Sequence, residues 1–167
     1  DHLAHKFTDT PVWVKGSGAG SDHLALHDRP SITQLRATQA AAKRAYATAG
    51  ISANDVDLAE VHDCFTIAEV LATEDLGFAS RGEGGRFARE GEGRRNEGHV
   101  TINASGGLKS KGHPLGATGT GQAVEIFKQL RNQTEPARQV RDAELGLTHN
   151  VGGSGATCAV HIFGRER

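Results

Sequence analysis

The sequence contains no methionine and opens on Asp1. It therefore reads as a processed chain or as one piece of a longer protein. Cysteine is nearly absent too: Cys64 and Cys158 stand alone and far apart. That spacing makes neither a zinc-ligand set nor a disulfide framework, so no metal is expected and the expected setting is reducing and cytoplasmic. No apolar run approaches the roughly 18–20 residues needed to cross a bilayer. No stretch has the pattern of a signal peptide. Neither sign of charge dominates, with 19 basic and 20 acidic side chains, which argues against a nucleic-acid partner. No G-x-S-x-G nucleophile elbow occurs.

What is abundant is glycine, 22 in 167 residues, a length that suits one domain with a real core. Six of those glycines fall within residues 103–121, N-A-S-G-G-L-K-S-K-G-H-P-L-G-A-T-G-T-G. Val100 and Ile102 precede this stretch, and Ala123, Ile126, Phe127 and Leu130 follow it at helical spacing. The expectation is a strand, a glycine-rich turn carrying His113, and a helix from about Gly116. Pro114 restricts His113 toward extended backbone. A histidine held at a helix N-terminus suits proton transfer or anion stabilisation.

The rest of the chain alternates strands and helices. Residues 11–15 read as a strand and 16–28 as a loop. Ser31 and Gln34 make a capping box for a helix that ends at Gly50, with Ile32, Leu35, Ala42, Ala45, Tyr46 and Ala49 on one face. Residues 56–61 read as a buried strand. A helix over 64–76 follows, with Phe65, Ala68, Val70, Leu71 and Leu76 available for burial. Residues 77–99, holding seven glycines and nine charged side chains, read as a long loop. Its arginines (Arg81, Arg86, Arg89, Arg94, Arg95) read as a solvated face. A strand near 99–102, a helix to about 132, and strands at 144–148 and 157–163 complete the order β-α-β-α-β-α-β-β. The predicted fold class is α/β: a three-layer α/β/α sandwich on a five-stranded mixed sheet whose last strand is antiparallel. Residues 1–10 are read as the tail of a preceding segment and 11–167 as the domain. Gly16-x-Gly18-x-Gly20 is not read as a dinucleotide loop, because Asp28, Arg29 and Pro30 separate it from the helix.

Ligands bind beyond the carboxyl ends of parallel strands. Three polar loops leave such ends: His62-Asp63-Cys64, residues 103–113, and His149-Asn150 with the glycines after it. Together they offer imidazoles, a thiol and donors for an oxyanion.

His62-Asp63-Cys64-Phe65, the run G-G-L-K-S-K-G-H-P-L-G-A-T-G and the terminal H-N-V-G-G-S-G-A resemble the C-terminal half of a thiolase. The branch they resemble is the sterol-carrier-protein-2 type with its archaeal acetyl-CoA acetyltransferase relatives. The resemblance covers about residues 11–164. It implies Claisen chemistry on 3-ketoacyl-CoA through an acyl-cysteine, with a CoA thioester as substrate and no permanently bound cofactor. His113 matches the histidine that activates the nucleophilic cysteine and donates to the thioester oxygen. His62 stands where most thiolases carry an oxyanion-supporting Asn. Asn150 occupies the position of the usual second catalytic cysteine, and Cys64 takes over that acid/base task in this branch. Gly152 would offer its N–H to the second oxyanion hole. His149 and Phe65 are candidates for substrate contact. The nucleophilic cysteine belongs to the N-terminal half, so the implied partners are that half and acyl-CoA. Cys158, mid-strand, cannot replace the nucleophile, and it and His161 read as core or interface. A homo-oligomer is expected when the protein is complete. Two other readings stay open: an aldolase acting on a β-hydroxyacyl-CoA of a steroid side chain, whose members carry tyrosines at the two histidine positions, and a non-catalytic module in a complex with hydroxymethylglutaryl-CoA synthase and an OB-fold scaffold.

Overall fold

The computed structural model describes residues 3–165. Its elements are β1 (Trp13–Ser21), α1 (Arg36–Ala49), β2 (Leu58–Glu60), α2 (Thr66–Asp75), α3 (Gly84–Glu90), β3 (Thr101–Ile102), α4 (Gly107–Lys111), α5 (Thr118–Leu130), β4 (Leu145–Gly152) and β5 (Thr157–Gly164). The five strands form one mixed sheet in the order β1-β5-β4-β2-β3. β4, β2 and β3 are parallel, while β5 is antiparallel to both of its neighbours, β4 and β1. Only β5 therefore runs against the other four, and the predicted mixed sheet with an antiparallel last strand is what forms.

Strand alternation splits the core between two faces. Ala59, Val61, Leu147, Val160 and Ile162 pack with α1 and α2. Leu58 packs on the other face with Ile126 and Leu130 of α5, which makes the third layer. Among the described residues, no helix is long and apolar enough to cross a membrane. Residues 3–10 hold a single 3-10 turn, Ala4–Lys6, with no buried side chain. Residues 1–2 and 166–167, also covered by the domain boundaries read from the sequence, lie outside the described residues.

Several expectations are corrected. Residues 16–21 are strand and not loop. Gly16, Gly18 and Gly20 all face α1, where an added Cβ would collide with the carbonyl oxygens of Ala45, Ala41 and Ala37 respectively. Glycine every second residue on the strand meets alanine every fourth residue on the helix, so the two backbones approach where no side chain fits. The helix expected at Ser31 begins at Arg36. Among the described residues, Ser31 Oγ bonds only Thr33, through its N–H and its hydroxyl, while Asp75 accepts from Leu35 N at 2.7 Å and Gln39 Nε2 at 2.8 Å. A carboxylate forty residues away thus caps the helix, and Ile32 is left 73% exposed. The long loop contains α3, anchored by buried Phe87 and tied to α2 by Gly84 N donating to Glu74 at 2.9 Å. Within that loop Arg81 is not merely solvated: it pairs with Glu74 and with buried Asp75. The glycine-rich turn contains α4, and β4 runs on to Gly152, so His149 and Asn150 are strand residues. Finally, α2 begins at Thr66, leaving Cys64 and Phe65 ahead of it, and Phe65 is exposed where burial was expected.

Candidate active site

β2, β3 and β4 are parallel neighbours, so the loops after Glu60, Ile102 and Gly152 emerge on one edge of the sheet. Each loop is held by side chains from another. Asp63, buried, accepts from Leu108 N at 2.7 Å and Lys109 N at 3.3 Å, capping α4 from the loop after β2. Gly107 has φ +66°, and a side chain there would run into the Asp63 carboxylate. Asn103, itself left-handed at φ 52°, accepts from Val61 N at 2.8 Å and donates to Glu69 at 2.9 Å. Burial pushes the Glu69 carboxyl up, as does nearby Asp63. Glu60, 1% exposed, accepts from Ser105 N at 3.0 Å, from Ser105 Oγ and from Lys111 Nζ at 3.2 Å. These bonds tie α4 to the end of β2. Burial raises the Glu60 pKa against the opposing pull of Ser105 and Lys111.

The two histidines of the glycine-rich and His-Asp-Cys loops meet here. Their rings lie 4.8 Å apart, edge to face at 87°. Thr118 Oγ1 lies 2.7 Å from His113 Nδ1 and 3.2 Å from the Pro114 carbonyl oxygen. That arrangement engages Nδ1 and leaves Nε2 as the free ring nitrogen. His62 is buried, and its Nδ1 has no hydrogen-bond partner among the described residues. Burial lowers the His62 pKa, and the neighbouring His113 charge lowers it further. Cys64, two residues after His62, is half-buried. Phe65, Ile67 in the first turn of α2 and Leu115 are exposed at 68%, 60% and 83%, an apolar rim to this edge.

Beneath the rim lies His149, wholly buried. It accepts at Nδ1 from His62 N at 3.4 Å, and its Nε2 bonds Thr38 Oγ1 at 3.0 Å. Burial drives its pKa down to about 3, so the ring is neutral. Gln122 of α5, also fully buried, donates to the carbonyls of Glu60 at 3.3 Å and His149 at 3.0 Å, and accepts from Asn150 Nδ2 at 3.0 Å. It spans the ends of β2 and β4. Among the described residues, no three His, Cys, Asp or Glu side chains are arranged to hold a metal ion. A separate cleft of about 370 Å³ opens between α2, α3 and β3, lined by Glu69, Val70, Phe87, Ile102 and Asn103 but by neither candidate histidine.

The family described as thiolase C-terminal domain-like matches residues 18–165. The chain belongs to the thiolase C-terminal domain family. An acetyl-CoA acetyltransferase of Methanothermobacter thermautotrophicus is 53% identical over 98% of this thiolase domain, and the match covers 42% of that protein. Bovine sterol carrier protein 2 is 45% identical over 70% of this chain, covering 21% of that protein. The solved structure of an Ltp2-ChsH2(DUF35) aldolase superposes with a TM-score of 0.79 at 24% identity, covering 95% of this chain and 40% of that one, and supports the fold. The thiolase domain thus spans about two-fifths of the length of its archaeal relatives.

Of the residues singled out in the sequence, His62, Cys64 and His113 sit on the loops that converge at one edge. Asn150 and Gly152 end the adjacent strand. His149 is corrected as a substrate contact: it has no exposed surface. Phe65 is exposed and free to meet a ligand. Cys158 is buried, and burial pushes its thiol up to about 11, so it is no nucleophile. Sequence reasoning missed Thr118, Gln122 and Arg29. Thr118 and Gln122 are one turn apart at the start of α5, polar positions on a face otherwise set for burial.

Proposed function

We propose that this chain is the C-terminal catalytic half of a thiolase, an acetyl-CoA C-acyltransferase that makes or cleaves 3-ketoacyl-CoA. The nucleophilic cysteine comes from an N-terminal half, in the same protein or a separate subunit. The observation that carries the reading is the His62–His113 pair, with His113 held so that Nε2 is the free nitrogen. In the cleavage direction, His113 Nε2 takes the proton of the incoming cysteine thiol. The thiolate attacks the keto carbon, and the carbon–carbon bond breaks to give an acyl-cysteine and an acetyl-CoA enolate. Cys64 then donates the proton that completes acetyl-CoA. A second CoA thiol takes the acyl group and restores the cysteine. His113 and His62 face the thioester oxygen that carries the enolate charge, while the Gly152 N–H serves the oxyanion formed at the acyl-cysteine. Asn150 supports that turn through Gln122, and Phe65 lies at the substrate mouth.

The exposed sheet face fits completion by a second half. Ser17 and Ala19 of β1 are uncovered on the side away from α1, and Val124 and Phe127 of α5 are 45% and 40% exposed. The complete protein is expected to be a cytoplasmic homo-oligomer with acyl-CoA as substrate, and an OB-fold scaffold is a further candidate partner. The test is co-expression with the N-terminal half, followed by CoA-dependent cleavage of acetoacetyl-CoA. His113→Ala is expected to lower turnover by about 10²–10³ or more, the usual cost of losing one such group. Unchanged turnover would sink the reading. Fold likeness to an aldolase keeps a second reading alive; aldehyde release from a β-hydroxyacyl-CoA, without ketoacyl cleavage, would favour it. A stable complex lacking all turnover would favour a non-catalytic module.

A further inference from the structure

Arg29 is 8% exposed, yet among the described residues no carboxylate lies within ion-pair distance of it. Buried arginines are rare unless paired. Its guanidinium instead donates to neutral oxygens: Nε to His23 O at 2.7 Å, Nη1 to Ser154 O at 2.8 Å and Nη2 to Ser154 Oγ at 3.4 Å. Ser154 Oγ donates onward to Leu24 O at 3.3 Å. The segment it grips is unusual. Gly153, Ser154 and Gly155 have φ of 51°, 52° and 85°, three left-handed residues in a row. Ser154 carries a Cβ and would not hold that conformation unaided. The turn starts at the residue after Gly152, and packing from Leu24 and Leu35 closes over its glycines.

We propose that Arg29 is a positioning residue for the Gly152 amide: it locks the left-handed turn that directly follows this N–H and keeps a positive charge without a carboxylate partner beside that turn. The inference rests on the reading of Gly152 as an oxyanion donor. A preorganised donor needs no reorientation as negative charge forms on the substrate, and a cation without a counter-ion keeps its field for that charge.

The test compares Arg29→Gln, Arg29→Lys and His113→Ala in the completed enzyme. Arg29→Gln is expected to lower kcat for acetoacetyl-CoA cleavage by about tenfold to a hundredfold, a fraction of the cost of losing the donor outright, with KM within about twofold. Hydrogen exchange of the 150–157 peptide should speed by about tenfold, with peptides from α1 and α5 unchanged. Arg29→Lys keeps the charge but not the fork, so its exchange should match Arg29→Gln while its kcat falls less. It also serves if Arg29→Gln does not fold. Wild-type kcat in Arg29→Gln, exchange that speeds evenly along the chain, or a loss confined to KM would each overturn the proposal. If His113→Ala abolishes turnover while Arg29→Gln is wild type, the Arg29 role alone fails. If His113→Ala is fully active, the thiolase reading fails, and the exchange comparison still reports the lock.

Discussion

His149 should make this fold sensitive to acid, and the size of the effect follows from its burial. The ring is fully buried and neutral, with a pKa of about 3 against 6.5 for an ordinary histidine. Its Nδ1 lone pair faces the His62 amide, and its Nε2 faces Thr38. Protonation would place a second N–H against the His62 amide in a fully buried site. The folded-state pKa is depressed, so the unfolded chain binds the proton more tightly. Stability is therefore present in full above about pH 6.5 and is lost as pH falls toward 3. The slope from this one group is about 1.4 kcal/mol per pH unit, and over the whole interval the loss is on the order of 4–5 kcal/mol. That is a large share of the 5–15 kcal/mol of a typical domain. The assay is urea unfolding from pH 7.5 to 4.5 for the wild type and for His149→Gln, whose amide can still accept from His62 and donate to Thr38. Groups common to both proteins cancel in the difference. At pH 7.5 the variant should be less stable by about 1–3 kcal/mol, the cost of imperfect buried hydrogen bonds. By pH 4.5 that gap should close or reverse, because only the wild type carries the histidine liability. A stability difference that stays constant across the range would refute a buried neutral His149.

Two further perturbations test the frame that holds the site. Gly18→Val drives a branched side chain into the Ala41 carbonyl of α1, and is expected to cost at least about 3 kcal/mol, lowering the melting temperature by roughly 6–12 °C in a thermal scan. Glu60→Ala removes the acceptor of Ser105 and Lys111; because Lys111 can still reach water, the cost is about 2–3 kcal/mol, with faster hydrogen exchange confined to residues 103–112.

The element order was legible because apolar periods, a C′ glycine at Gly50 and short linking turns are local signals. β1 was cut short for an instructive reason. Glycine normally marks loops, but Gly16, Gly18 and Gly20 alternate, and their match is the Ala37, Ala41, Ala45 ladder on α1. Either pattern alone is ambiguous; the pair states that two backbones touch. The capping box at Ser31 failed because Asp75 is the stronger acceptor once the fold brings it there, which nothing near Ser31 announces. His149-Asn150 read as loop because glycines follow, yet Leu147, His149 and Val151 alternate along β4 on its α1 side. At the site, His62 and His113 lie more than a whole βα unit apart in sequence, and their pairing follows from parallel strands ending on one edge. Gln122 and Arg29 were invisible because their partners, the Glu60, His149 and Ser154 carbonyls, are distant in sequence, and Thr118 because only the folded turn brings it to the His113 ring.

Those bonds share a form that bears on how the site is kept. Asp63 from the loop after β2 caps α4, and Asn103 from the loop after β3 fixes the backbone at Val61. Gln122 joins the ends of β2 and β4 and holds Asn150, while Arg29 from the β1–α1 link holds the turn after β4. Left-handed Asn103, Gly107, Ser154 and Gly155 sit at or beside the gripped positions. Left-handed backbone is costly, and it persists where neighbouring contacts over-determine it. The loops of the site therefore do not hold their shapes alone. Each borrows rigidity from the next, so loosening one clamp should reach histidines it does not touch, and the geometry of His62 against His113 belongs to the whole ring of loops and not to the two residues.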